Sequence, residues 1–324
     1  MVGKITPDTH ISCSRLPAVL GLSPWSTPND ELAKSLDARL GRARPRDAAG
    51  EGAEWGNLLE PIVLREMARR LGLVRVQTGI TKPVQAGCMV TDGVSARYGM
   101  LYGSLDGRGT APEVWVADTN PELGIYCPAG PVKLYGRGVL EAKTTRAEPA
   151  EEPPPYRGPV QVQGLMLCTG YQWAAVGVLH QGQELRIYLY QSSDEWHAKI
   201  RDAVVEFETR LQGPEWYPPT SAADARRTWQ MQDEDAPPIA LPAEAADLAR
   251  MILDGKRARK AVDEMIDQAE AGLMSMLGNH EVGHVEGITV RWPSKRFKAQ
   301  PAKTVPATQE RVTRGSLYIS ELVA

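Results

Sequence analysis

The chain has 324 residues, of which 42% are hydrophobic and 24% are charged, and its formal net charge is −3. The length predicts about two domains of ordinary size, and the total charge gives no indication of a polyanionic partner. No apolar run approaches the roughly 20 residues that span a bilayer, and the first residues lack the apolar stretch of a signal peptide. We therefore expect a cytoplasmic protein without a membrane partner.

Cysteine spacing supports the same compartment. Cys13, Cys88, Cys127 and Cys168 lie far apart, and none belongs to a Cys-x-x-Cys pair. This predicts neither a disulfide framework nor a zinc ribbon and indicates a reducing environment. The sequence also lacks a P-loop and a Gly-x-Gly-x-x-Gly turn, which argues against a nucleotide-dependent enzyme.

Helical patterns fill the first 70 residues. A short helix is predicted over residues 14–21 and a second from Asn29 to about Leu40. A third, over residues 54–71, has apolar residues at helical spacing, although Pro61 is unfavourable in a helix interior. The same period returns at residues 160–169, 194–211 and 243–277.

Between the third helix and residue 190 most of the apolar pattern is that of strands. Strands are predicted at residues 73–78, 88–91, 98–105, 113–117, 138–144, 173–180 and 185–190. The stretch 107–138 is long, and we interpret it as an added hairpin. This order predicts an α/β core over residues 1–213, a Pro-rich linker at 214–242 and an accessory region at 243–324, which combines a long helix with a small basic β element.

Positive charge is concentrated locally. Residues 286–314 contain seven Lys and Arg against two Glu, together with Trp292 and Phe297, and residues 39–46 contain four Arg. Basic residues interleaved with aromatics are suited to nucleic-acid backbone contact and base stacking. A solvated tail and a mobile loop are the simpler alternatives.

The most informative segment is residues 139–144, Val-Leu-Glu-Ala-Lys-Thr. On a strand Glu141 and Lys143 share one face, while Leu140 and Ala142 point into the core. A carboxylate beside an ammonium group at a strand end can bind a metal ion and handle an anion or a water molecule. An exposed ion pair is the simpler alternative.

Other polar residues fit the same site. Asp106 ends a predicted strand antiparallel to that of Glu141, and the two carboxylates with the Ala142 carbonyl would offer hard oxygen ligands to Mg²⁺ or Mn²⁺. Glu60, near a helix start, is a third candidate carboxylate. The simpler interpretations are a turn-forming Asp-Gly for Asp106 and a favourable interaction with the helix dipole for Glu60. Gln161 and Gln163 open the helix at 160–169.

These motifs, in this order, resemble the PD-(D/E)xK nuclease superfamily, and within it the lambda-exonuclease and YqaJ-like viral recombinase family. The motifs are Ser-Cys-Ser-Arg, Gly-Asn-Leu-Leu-Glu-Pro, Gly-Ser-Leu-Asp-Gly, Leu-Glu-Ala-Lys and Gln-Val-Gln, within residues 11–211. The resemblance implies a restriction-endonuclease-like core, in which a mixed central β-sheet is flanked by helices.

The resemblance also implies roles for individual residues. Asp106, Glu141 and the Ala142 carbonyl would hold Mg²⁺ (or Mn²⁺), and Glu60 would complete the site directly or through water. Lys143 would orient or help deprotonate the attacking water, and Gln161 would be the site glutamine. The basic residue with which lambda exonuclease grips the 5′-phosphate has no counterpart at residues 7–10. Arg15 is the nearest candidate for that grip, and the candidates for DNA contact are Arg15, Arg146 and Gln163.

The implied activity is a metal-dependent exonuclease of phage recombination that degrades duplex DNA from its ends, 5′ to 3′, and leaves a 3′ single-stranded overhang. The implied partners are duplex ends, a single-strand annealing protein and further copies of the chain in a trimeric ring. Two alternatives remain, a related endonuclease or CRISPR-associated-type nuclease, and a non-catalytic DNA-end-binding adaptor. The class of related nucleases that carries an iron–sulfur cluster is disfavoured, because it needs a C-terminal cysteine cluster and no cysteine follows Cys168.

Overall fold

The computed structural model describes residues 6–42, 50–86, 99–229 and 237–293. The predicted strand at 88–91, Cys88, the second half of the arginine-rich stretch 39–46 and most of the basic segment 286–314 lie outside the described residues. Contacts divide the chain into two compact units, Met1–Thr228 and Trp229–Ala324.

Six helices of the first unit are described, and three of them precede the first strand. A 3₁₀ turn, Cys13–Arg15, leads into α1 (Leu16–Val19), which is followed by α2 (Pro28–Arg39) and α3 (Glu51–Arg70). α3 begins before the predicted residue 54 and continues through Pro61. Proline leaves the carbonyl of Asn57 without its helical donor, and both residues are exposed, so water can satisfy that carbonyl. The later helices are α4 (Pro159–Thr169), α5 (Asp194–Gln212) and α6 (Ala222–Thr228).

Ten strands of this unit are described. They are β1 (Arg75–Thr78), β2 (Val84–Gln85), β3 (Tyr102–Gly103), β4 (Gly107–Thr110), β5 (Trp115–Ala117), β6 (Ile125–Tyr126), β7 (Val132–Leu134), β8 (Arg137–Thr145), β9 (Trp173–His180) and β10 (Glu184–Gln191). Six of them form the central sheet in the order β1-β4-β8-β9-β10-β6. β8 is antiparallel to β4 and parallel to β9, so the sheet is mixed, and the predicted α/β class is confirmed.

Alternation along β8 separates two core layers. Val139 packs in a cluster with α4 and α5, whereas Leu140 packs in a second cluster with Val63, Leu64 and Met67 of α3. Helices therefore cover both faces of the sheet. The layers are tight at Gly138, where an added Cβ would lie 2.2 Å from the Trp173 indole ring, so only glycine fits there.

The added segment at 107–138 is more than a hairpin. β5 and β7 pair as a separate two-stranded sheet, but β6 joins the edge of the central sheet parallel to β10. The short strands β6 and β7 were not predicted, because two or three residues are too few to show a period.

The first unit extends beyond Gly213, where we placed the end of the core. The Asn29 side chain accepts from the Tyr217 amide (2.8 Å) and donates to the Tyr217 carbonyl and to Asp224, each at 3.0 Å. Asp224 is itself buried. These contacts fix residues 214–228 against α2.

The second unit contains α7 (Glu244–Leu277) and a hairpin of β11 (Val282–Val285) and β12 (Ile288–Arg291). The predicted long helix is therefore present. In the part of the chain that the structure describes, no helix is long and apolar enough to cross a membrane.

Candidate active site

The antiparallel pairing of β4 and β8 brings Asp106 beside Glu141. β4 begins at Gly107, which lies opposite Leu140, so Asp106 immediately precedes this strand. We had predicted that Asp106 ends the preceding strand, and that position was wrong. Its Oδ2 accepts a hydrogen bond from the Ala142 amide (3.0 Å). The charge of the Asp106 carboxylate acts on Glu141, so the two carboxyl groups are neighbours.

Glu141 is buried, with a relative exposure of 1%. Its Oε1 accepts hydrogen bonds from Lys143 Nζ (2.5 Å) and Gln161 Nε2 (2.6 Å), while its buried Oε2 has no hydrogen-bond donor among the described residues. Burial, and then the charge of Asp106, raise the pKa of Glu141 to about 8 against the opposing effect of Lys143. The positive charge of Lys143 is therefore not enough to compensate an ionised Glu141 for its burial and for the neighbouring Asp106.

Lys143 and Gln161 approach Glu141 from different elements. Lys143 lies two residues along β8, on the same face, and its side chain is 30% exposed. Gln161 is the third residue of α4, whose first turn packs tightly on the sheet, because a Cβ at Gly158 would lie 2.6 Å from Val176. Burial lowers the pKa of Lys143, but the surrounding carboxylates raise it by more than burial lowers it. The net shift of the pKa is therefore upward, and the amine stays protonated.

Glu60 comes from α3, on the other side of the sheet. It is half-buried, and its pKa is raised by burial and then by the charge of Asp106, with Lys143 opposing. It therefore lies within electrostatic range of both residues. Among residues 6–42, 50–86, 99–229 and 237–293, however, no three His, Cys, Asp or Glu side chains converge as metal ligands. The role of Glu60 at a metal ion, directly or through water, stays a prediction.

A divalent ion suits the remaining donors. The orphaned Oε2 of Glu141 and the Asp106 carboxylate are hard oxygen ligands of the kind that Mg²⁺ prefers. The amide and carbonyl of an extended residue lie on the same edge of its strand. Because the Ala142 amide faces Asp106, its carbonyl faces the same edge and is a third candidate ligand.

Arg15, our candidate for gripping a 5′-phosphate, is buried. Its guanidinium donates to Glu31 Oε2 and the Glu31 carbonyl (both 2.5 Å), to Ser35 Oγ (2.9 Å) and to the His10 carbonyl (2.8 Å). These bonds tie the Cys13–Arg15 turn to α2. We correct the predicted DNA contact to a structural role.

Gln163 is also structural. It is 4% exposed, and its amide donates to the Gln191 carbonyl (2.9 Å) and accepts from the Ser193 amide (3.1 Å). The predicted DNA contact of Gln163 does not fit this placement. Arg146 is exposed just beyond β8, and its DNA contact stays a prediction.

Three arginines near the site were not predicted: Arg75, Arg108 and Arg137. They belong to three neighbouring strands and to no motif, so only the strand register places them together. The sequence did indicate two polar strand faces. Arg75 and Gln77 are two residues apart, as are Arg108 and Thr110, and residues two apart on a strand share one face.

Comparison with known proteins gives a family and several solved structures. The family model of the YqaJ-like viral recombinase domain matches residues 8–172. A search of curated proteins gave no match. Sixteen chains of solved structures match. One is an alkaline exonuclease (LHK-Exo) from Laribacter hongkongensis, 18% identical over 64% of this chain and 90% of that one, with a TM-score of 0.42. Another is a phage related exonuclease from Haemophilus somnus 129PT, 12% identical over 63% and 96%, with a TM-score of 0.40.

The family assignment depends on the family model. Residues 8–172 are about half of the chain and include Glu60, Asp106, Glu141, Lys143 and Gln161. The chain therefore belongs to the YqaJ-like viral recombinase domain family, and is a nuclease of the phage recombination type.

Proposed function

We propose that the protein is a metal-dependent DNA exonuclease that hydrolyses duplex DNA from its ends, 5′ to 3′, and leaves a 3′ single-stranded overhang. The observation that carries the proposal is the buried Oε2 of Glu141, which has no donor among the described residues although the charge of a second carboxylate, Asp106, acts on the same group. A buried carboxylate that has a second carboxylate as its neighbour is costly to ionise unless a cation binds there.

Asp106, Glu141 and the Ala142 carbonyl would hold Mg²⁺ or Mn²⁺, with Glu60 acting directly or through water. When bound, the ion would polarise the phosphate, lower the pKa of a water molecule and stabilise the leaving 3′-oxygen. The chain has to hold these ligands in place, and the hydrogen bonds at Oε1 of Glu141 and Oδ2 of Asp106 do so.

Lys143 supplies positive charge that does not depend on the metal ion. Its raised pKa keeps the amine protonated, so it acts as a hydrogen-bond donor and not as a free base. From the half-buried end of β8 it can orient the attacking water and offset the charge that develops on the phosphate. Gln161 holds the Glu141 carboxylate in one rotamer.

Family membership supports further parts of the proposal. We propose duplex DNA ends as substrate, a single-strand annealing protein as the recipient of the overhang, a trimeric ring as the assembly, and the cytoplasm as the location. Complete retention of Glu60, Asp106, Glu141 and Lys143 favours an active nuclease over a non-catalytic adaptor.

Digestion of linear duplexes labelled at either the 5′ or the 3′ end tests this function. With Mg²⁺, we expect early release of the 5′ label as short products, retention of the 3′-labelled strand and no cutting of covalently closed circles. Cleavage of closed circles would favour the endonuclease. Early release of the 3′ label would contradict the polarity, and the absence of Mg²⁺-dependent cleavage would contradict the enzyme.

A further inference from the structure

An open cavity of about 780 Å³ lies at the β1 edge of the central sheet. Among the residues that the structure describes, the lining contains three arginines and no acidic residue. The lining residues are Val74, Arg75, Val76, Gln77, Arg108, Thr110, Ala111, Pro112 and Arg137. The cavity is therefore positively charged, although the chain as a whole carries a formal charge of −3.

Strand register places the three arginines on one face of the sheet. Thr110 of β4 lies opposite both Arg75 of β1 and Arg137 of β8, and Arg108 lies opposite Val139. Residues directly opposite each other in antiparallel strands point to the same face. The arginines therefore share the face of Val139.

That face is also the face of the candidate active site. Side chains alternate along a strand, so Arg137, Val139, Glu141 and Lys143 all project to one side of β8. At about 3.4 Å per residue, Arg137 lies about 13 Å from Glu141 along the strand. A DNA strand carries one phosphate for about every 3.4 Å of helix axis. The cavity thus lies at the distance of about four nucleotides from Glu141.

The charges in the cavity are not neutralised by their described partners. Arg75 and Arg137 are exposed. Arg108 is oriented by two bonds from its guanidinium to Gln77 Oε1 (2.8 and 2.5 Å) and a longer one to the Tyr171 hydroxyl (3.4 Å), and both partners are uncharged. Arg108 is therefore held in place while its positive charge remains available to an anion.

We propose that this cavity binds the phosphate backbone of the DNA substrate, several nucleotides from the bond that is cut. The proposal rests on the proposed function for its choice of ligand. A guanidinium can hold a phosphate through two parallel hydrogen bonds, and contacts of this kind fix the register of a nucleic acid without reading its sequence. The cavity would hold the duplex in place while its end enters the site.

The test is the salt dependence of duplex binding in EDTA, where no cleavage occurs. We compare wild type with the double variant R75A/R137A, and each phosphate contact contributes about 0.9 to the slope of log K against log salt. We expect the double variant to reduce the slope by about 1.8 and to bind the duplex roughly tenfold more weakly at moderate salt. Both side chains are exposed, so the thermal midpoint should not change.

Two controls isolate the effect. R201A removes an exposed arginine from α5, outside the cavity, and should leave the slope unchanged. R75K/R137K keeps both charges and should retain most of the slope. A double alanine variant with the slope and affinity of wild type would overturn the proposal.

A second titration, with a deoxynucleoside monophosphate, separates backbone binding from product binding. We expect the double variant to bind the mononucleotide as wild type does. Loss of mononucleotide affinity with an unchanged duplex slope would overturn the proposal and assign the cavity to the reaction product. An arginine-dependent slope in a protein that does not cleave with Mg²⁺ would contradict the proposed function while leaving this inference intact.

Discussion

The side-chain amide of Gln161 donates a hydrogen bond to Oε1 of Glu141 across 2.6 Å, from the first turn of α4 to the middle of β8. Lys143 bonds to the same oxygen. Both protein donors therefore converge on Oε1, while the buried Oε2 has no donor in the described part of the chain and the charge of Asp106 acts on the same carboxyl group. This arrangement orients Glu141 for a ligand that the side chains do not supply.

Gln161 and Gln163 give a matched pair of variants on one helix. We expect Q161A to reduce the cleavage rate about tenfold to a hundredfold, because Glu141 loses the donor that fixes its rotamer, with little change in stability. Q163A leaves the Gln191 carbonyl and the Ser193 amide without a partner, which costs about 1–3 kcal/mol of stability. Its folded fraction should cleave as wild type does. Rates per folded molecule and urea unfolding measure both effects, and a catalytic loss in Q163A equal to that in Q161A would contradict the assignment.

Replacing Lys143 should affect the reaction more than DNA binding. K143A removes the ammonium group that offsets charge on the phosphate, and a loss of one such donor costs about 10²–10³ in rate. The Kd for duplex DNA should change by less than about threefold, since one contact contributes little to the total. Single-turnover kinetics and metal-free binding measure the two quantities. K199A, at an exposed lysine of α5, is the control and should change neither. A K143A variant with wild-type turnover contradicts the role.

Ionised Glu141 should destabilise the metal-free protein. Its pKa is raised from 4.5 to about 8 in the folded state, mainly by burial. The cost is therefore absent below about pH 4.5, grows as the pH rises towards 8 and is complete above it. We expect E141Q in EDTA to melt several degrees higher than wild type at pH 8.5, and the difference to shrink as the pH falls to 5. Thermal unfolding across this range tests the sign. If E141Q were less stable than wild type at pH 8.5, the ionised Glu141 carboxylate would not be destabilising.

Arg15 should matter for stability and not for recognition of the DNA end. R15M leaves Glu31 buried without its main cation, and breaking a buried pair costs about 3–5 kcal/mol. The ratio of cleavage rates on 5′-phosphorylated and 5′-hydroxyl ends should equal that of wild type. The double variant R15M/E31Q should recover part of the lost stability, because no unpaired charge remains. A changed end preference in the folded R15M protein would restore Arg15 as the 5′-phosphate contact.

Glu31 gives a second pH dependence, of opposite sign to that of Glu141. Burial alone would raise its pKa, but Arg15, Lys34 and Ser26 outweigh burial and lower it below 4.5. Its contribution to stability is therefore present above pH 4.5 and is lost as the pH falls through the lowered pKa. Denaturant unfolding at pH 7 and below pH 4 should show that E31Q, unlike wild type, lacks this part of the acid sensitivity. An E31Q protein with the acid sensitivity of wild type would rule out this contribution.

The sequence was most informative where a local period carries the structure. The apolar pattern correctly predicted the strands around Glu141 and Trp173 and the helix that contains Gln161. All three elements pack in the two core layers, which require apolar residues along them. The neighbouring positions of Asp106 and Glu141 were expected from two antiparallel strands and supported by the family resemblance, whereas their exact register, a long-range property of the sheet, came from the structure.

The interpretation of charge was least reliable. Arg15 and Gln163 are polar residues next to recognised motifs, and their burial depends on partners distant in sequence, such as Glu31 and Gln191. The arginines of β1, β4 and β8 are separated by up to about sixty residues and meet only through strand pairing. Total charge indicated no polyanion, whereas the register brings three arginines to the face that carries Glu141.

The central claim is that Asp106 and Glu141 together hold a divalent metal ion. Mn²⁺ binding to the DNA-free protein, measured by calorimetry and by the loss of the free-ion EPR signal, tests it most directly. We expect saturable binding to wild type, at least a hundredfold weaker binding to E141Q, and unchanged binding to E184Q, which alters an exposed carboxylate of β10. Equal Mn²⁺ affinity in E141Q and wild type would contradict the account.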